Sequence, residues 1–162
     1  MDGHRGRVII GIGNEFRRDD GLGPLVVAEL LARQPGDPAL AGVDLRVSDG
    51  ESLGLLSLWA GTELAVVVDA VRDSREHAGR LHELVLDDGA EADLAGRPST
   101  GTHDIGFGDT IALGRALGRM PHRLVIIAVT GHDFGFGREP SASVAAAVAP
   151  VVERARELVS QP

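Results

Sequence analysis

Cysteine is absent from this chain of 162 residues. Thiolate nucleophiles, thiolate metal ligands and disulfide cross-links are therefore all excluded, and the lack fits a reducing compartment. Lysine is absent too, since all sixteen basic residues are arginine. That removes Schiff-base chemistry and the lysine of a phosphate-binding loop. No apolar run approaches the length that spans a bilayer, and residues 1–7 hold no segment of the kind a signal peptide needs. Basic residues are outnumbered 16 to 24 by acidic ones, for a net charge of -8. Such a balance argues against nucleic-acid binding and is read as a solubility device. With 43% hydrophobic residues, a chain of this size buries about two thirds of its unfolded surface without staples. The expectation is a soluble, cytoplasmic, monomeric single domain over residues 1–162, with no membrane partner.

What is present is an alternation of short β-rich apolar runs with helical patterns. Strands are predicted over residues 7–12, 43–47, 63–69 and 123–129, and an edge strand over 81–86. The run at 63–69 is apolar until its last residue, as expected for a parallel strand covered on both faces. Helices are predicted over 22–33 with Pro24 in the first turn, over 52–59 with Ser52 as cap, and over 107–117. A last helix carries Val144, Ala147, Val148, Val151, Val152, Ala155 and Leu158 behind possible caps at Ser141 and Ser143. Pro150 lies inside it, so a kink or a division into two pieces is expected. Residues 87–101 read as a polar loop. The pattern implies a three-layer α/β/α sandwich with a mainly parallel five-stranded sheet and one antiparallel edge strand. Loops at the carboxyl edge of such a sheet carry the site.

Residues 8–24, VIIGIGNEFRRDDGLGP, organise that edge. A strand turns through Gly11 and Gly13 and delivers Asp19 and Asp20 to the start of a helix. The glycines have three readings: a tight turn, an opening for a substrate backbone, or a dinucleotide fingerprint. The fingerprint lacks its third glycine, because position 16 is Phe16, although Asp49 is placed to contact a ribose. One of the two aspartates suffices to cap the helix, leaving the other for cation or acid–base work. Asp69 closes the third strand; if the first and third strands are neighbours, Asp20 and Asp69 face one crevice. An imidazole comes from His103, in a small polar loop, or from His132, after the last strand. Composition does not choose between these two. Two carboxylates and an imidazole suit a divalent ion such as nickel or zinc. His4, His77, His82 and His122 carry no such context. Ser141 and Ser143 lie in no nucleophile-elbow motif.

Gly11-Ile12-Gly13-Asn14 followed by Asp19-Asp20-Gly21-Leu22-Gly23-Pro24 resembles the opening motif of the hydrogenase maturation proteases. Asp49-Gly50 with Leu53-Gly54-Leu55 before Trp59, Val67-Val68-Asp69-Ala70, Gly79-Arg80-Leu81, Thr102-His103 and Pro140-Ser141 follow in that family's order. The resemblance spans nearly the whole chain. It implies an endopeptidase that removes a C-terminal extension from the nickel-loaded large-subunit precursor of a nickel–iron hydrogenase. Matched position by position, the nickel ligands would be Asp20, Asp69 and His103, with Asp20 or Asp69 as general base and the nickel supplied by the precursor. Asp104 and the Gly131-His132-Asp133 segment depart from the usual pattern, leaving His132 as an extra ligand, a substrate contact or a residue with no part in the site. The competing classes are a non-catalytic nickel-binding module that docks on the precursor, and a nucleotide-binding α/β protein using Gly11 and Gly13.

Overall fold

The computed structural model describes residues 6–87 and 105–162. Five strands form one sheet: β1 (Arg7–Ile12), β2 (Asp44–Ser48), β3 (Leu64–Arg72), β4 (Leu81–Asp87) and β5 (Arg123–Gly131). Their order is β2-β1-β3-β5-β4. Three of the pairings are parallel, β1 with β2, β1 with β3, and β3 with β5, while β4 runs antiparallel to β5. The expected mixed sheet with an antiparallel edge strand is what forms, and β1 and β3 are neighbours.

Side chains alternate between the two faces of each strand, so every buried strand contributes to two cores. On one face Ile9, Val66, Val68, Val125 and Ile127 pack under helices α1 (Leu22–Arg33) and α4 (Ala142–Ser160). On the other, Val8, Ile10, Val67, Leu124 and Ile126 pack with Trp59 of α2 (Ser52–Trp59) and Ile111 of α3 (Ile105–Leu117). The result is the three-layer sandwich expected from the sequence. Trp59 is fully buried, and its indole N–H donates to the Arg119 carbonyl at 3.0 Å.

Three local expectations change. The cap of α2 is Glu51, whose carboxylate accepts the N–H groups of Leu53 and Gly54; Ser52 is the first helical residue. Helix α4 is one element rather than two. Pro150 sits on its exposed face, where water reaches the carbonyl left without a donor. Strands β3 and β5 are also longer than the apolar runs suggest. Their pairing continues from Leu64 with Arg123 to Arg72 with Gly131, two residues beyond the last predicted position of β5. Asp69 therefore lies within β3, opposite Ala128, rather than at its end.

Candidate functional site

Where β1 stops, the chain turns sharply because Gly13 adopts a φ of 140°. A side chain there is impossible, since a Cβ would sit 1.9 Å from the Asp20 carbonyl oxygen. A Cβ on Gly11 would likewise lie 2.3 Å from the Gly23 carbonyl oxygen. The space the glycines leave is thus filled by this chain's own backbone. That is the tight-turn reading. The segment then passes through Arg18, at a φ of 46°, into a short 3-10 turn, Arg18–Gly21, that carries both aspartates.

The two aspartates part company in that turn. Asp19 is fully buried and points to the loop after β5. Its Oδ2 accepts the backbone N–H groups of His132 and Asp133, each at 2.9 Å, and its Oδ1 accepts the Ser141 N–H at 2.6 Å. The Ser141 hydroxyl donates to Oδ2 as well, at 3.1 Å. Burial pushes the Asp19 carboxyl up, but the N–H groups of Asp133, His132 and Ser141 and that hydroxyl outweigh it and hold the group below its ordinary value. So Asp19 does not cap the helix that follows it; α1 begins after Gly21 with no side-chain cap. Ser141 stands at the N-cap of α4, yet its hydroxyl serves Asp19 instead of the helix. Backbone bonds lace the same two loops together: Arg18 N–H to Gly137 O, Asp19 N–H to Asp133 O and Gly137 N–H to Phe16 O, each 2.9 Å.

Asp20 faces the sheet. Its Oδ2 accepts the Asn14 N–H at 3.0 Å, and its Oδ1 lies over Gly13, 3.4 Å from where a Cβ would be. The turn that carries it packs against β3. Within β3, Val68 is the residue paired with Gly11, so Asp69 is the next residue toward the carboxyl edge, level with the end of β1. Asp20 and Asp69 are each 1% exposed. The two carboxylates are thus buried near the carboxyl ends of the neighbouring strands β1 and β3, Asp20 in the turn after β1 and Asp69 within β3.

No protein-family model matches the chain, and no curated protein does. Solved structures do. The hydrogenase maturating endopeptidase HybD of Escherichia coli superposes with a TM-score of 0.71 at 21% identity, over 92% of this chain and 88% of that one. The nickel–iron hydrogenase maturation protease HybD of Thermococcus kodakarensis gives 0.71 at 22% identity, over 95% and 99%. A hydrogenase 2 maturation peptidase from a Thaumarchaeota archaeon gives 0.64 at 24% identity, over 95% and 97%. The fold is that of the hydrogenase maturation endopeptidases.

Within the endopeptidase fold the remaining candidates sort as follows. His103 lies outside the described residues, as do His4 and the greater part of the loop expected over 87–101. His132 does emerge at the carboxyl edge after β5, but beside Asp19: its Nδ1 is 3.7 Å from Asp19 Oδ2. His77 lies against Asp73, with Nδ1 3.1 Å from Oδ2. Asp49 accepts the Glu51 N–H at 3.0 Å, a turn-forming use of the carboxylate that placed it in the nucleotide reading. Among the described residues no three His, Asp or Glu side chains gather around one ion position. Asp19 is committed to the loops instead, accepting three hydrogen bonds on Oδ2 and one on Oδ1. That structural use of Asp19 was not visible in the sequence; its partners are more than a hundred residues away, and no local pattern encodes them.

Proposed function

We propose that this chain is an endopeptidase that removes a C-terminal extension from the nickel-loaded large-subunit precursor of a nickel–iron hydrogenase. One observation carries the reading. Two carboxylates, Asp20 and Asp69, are buried at the carboxyl edge of adjacent parallel strands, in a fold shared with hydrogenase maturation endopeptidases. The positions match the family's acidic ligands, and His103 matches its histidine.

On this reading nickel belongs to the substrate and arrives held by cysteines of the precursor. Asp20, Asp69 and His103 add their donors to it and so hold the precursor's C-terminal segment against the sheet edge. Held there, the ion would lend Lewis-acid polarisation to the scissile carbonyl. One of the two carboxylates takes the proton from the attacking water as its oxygen bonds to that carbonyl carbon. The same proton passes to the departing nitrogen when the peptide bond breaks. Asp19 stays out of the chemistry and keeps the turn bearing Asp20 fixed to the β5–α4 loop.

The test mixes the full chain with nickel-loaded and nickel-free precursor and looks for a C-terminal peptide by mass spectrometry. The peptide is expected from the nickel-loaded form alone. A stable complex that never releases peptide would overturn this reading in favour of a non-catalytic docking module.

A further inference from the structure

A groove of about 520 Å³ opens beside the candidate site, between α1 and the end of β2. Its apolar lining comes from three elements: Phe16 in the loop after β1, Val27 and Leu31 on one face of α1, and Val47 on β2. Phe16, Leu31 and Val47 are 47%, 50% and 52% exposed. Three large apolar side chains converging half-bare on one depression are the mark of a binding surface, unlike scattered exposed residues.

The rim is acidic. Glu15 and Asp49 line the groove and, among the described residues, no basic one does, while Arg17, Arg18 and Arg46 are engaged elsewhere. Arg17 Nε and Arg18 Nε both donate, at 3.2 Å, to the carbonyls of Phe134 and Phe136 respectively. Arg46 pairs with Asp44 at 2.8 Å; Arg138 does reach the groove, stacked on the Phe16 ring 5.0 Å from its centre, where Glu15 and Asp49 are the two acids of the lining. Gly13 and Asn14 also line the groove, and the Asn14 N–H donates to Asp20 Oδ2 at 3.0 Å, so the groove lies next to the loop that holds Asp20. Among the described residues β2 has a strand on one side only, so an extended chain can add to its outer edge by main-chain hydrogen bonds.

We propose that this groove seats the peptide segment that the enzyme cleaves. The segment is extended and carries a bulky apolar side chain with an arginine or lysine two positions away, both on the same side of the chain. The apolar group fits between Phe16, Leu31 and Val47, and the cation faces Glu15 and Asp49. A neutral segment would desolvate these two acids without compensation, and an acidic one would be repelled. This inference rests on the endopeptidase reading above.

The test uses three fluorescein-labelled octapeptides, built on leucine with arginine, leucine with glutamate, and serine with arginine. Fluorescence anisotropy reads their binding to the full chain. The leucine–arginine peptide is expected to bind about tenfold or more tightly than either other. Leu31→Ser with Val47→Ser should erase that advantage, and Glu15→Gln with Asp49→Asn should erase the preference for arginine over glutamate. Equal binding of the three peptides would overturn the groove, as would unchanged affinity in a Leu31→Ser, Val47→Ser variant with native circular dichroism. The two readings fail separately. Cleavage of nickel-loaded precursor by that double variant at the wild-type KM sinks the groove and leaves the endopeptidase. Selective peptide binding by a chain that cleaves no precursor does the reverse.

Discussion

Asp19 and Ser141, 122 positions apart in the chain, are joined by a 2.6 Å hydrogen bond from the Ser141 N–H to Asp19 Oδ1. Together with the His132 and Asp133 amides on Oδ2, it fastens the turn carrying Asp20 to the start of α4. Replacing Asp19 by Ala strands three amides and a hydroxyl in a buried place, which costs about 3 kcal/mol or more. Urea denaturation should show a midpoint well below that of the wild type. An unchanged midpoint would mean that the bonds are replaced by water.

The same carboxylate makes stability depend on pH. Held below its ordinary value when folded, Asp19 contributes stability that is fully present above its unfolded pKa of about 4. That contribution is lost as pH falls through the folded value. The urea-midpoint gap between wild type and Asp19→Asn should therefore hold steady from pH 7 to pH 5 and narrow below pH 4. A gap independent of pH would refute the ionised, hydrogen-bonded state of Asp19.

Gly13 supports Asp20 by having no side chain. Gly13→Ala meets the Asp20 carbonyl oxygen at 1.9 Å and a φ of 140°, whereas Gly42→Ala, at a φ of 75°, has nothing within 4 Å. The first should cost about 3 kcal/mol and displace Asp20, the second about 1 kcal/mol from backbone strain alone. Denaturation of the two variants compares them directly, and equal losses would contradict the close packing of Gly13 on Asp20.

His132 donates its backbone N–H to Asp19 Oδ2 at 2.9 Å, while its ring Nδ1 stands farther off, 3.7 Å from the same oxygen. His132→Ala should change stability by under about 1 kcal/mol and leave precursor cleavage at the wild-type rate. His103→Ala should abolish cleavage. The opposite pattern would transfer the imidazole role to His132.

Much of the architecture was legible because the apolar runs are long and clean. Residues 7–12, 22–33 and 52–59 form elements with the bounds their periodicity predicts. Strand length was less legible. Polar Asp69 looked like a strand end, yet β3 continues to Arg72 because β5 keeps pairing with it. Asp19 and Asp20 were indistinguishable as neighbours of one type. What separates them is the direction each takes from the 3-10 turn, set by a loop encoded far downstream. The groove was hidden for the same reason, since Phe16, Leu31 and Val47 belong to no common pattern and meet only in three dimensions.

The most direct test of the account replaces one buried acid with its near-isostere. Asp69→Asn and Asp20→Asn change charge with little change in volume, so each should keep native circular dichroism. Release of the C-terminal peptide from nickel-loaded precursor is followed by mass spectrometry over time. Both variants should fall by about a hundredfold or more, the scale expected when a general base or a charge-matched ligand is lost. Cleavage by Asp69→Asn at the wild-type rate would contradict the assignment of this carboxylate pair to the reaction.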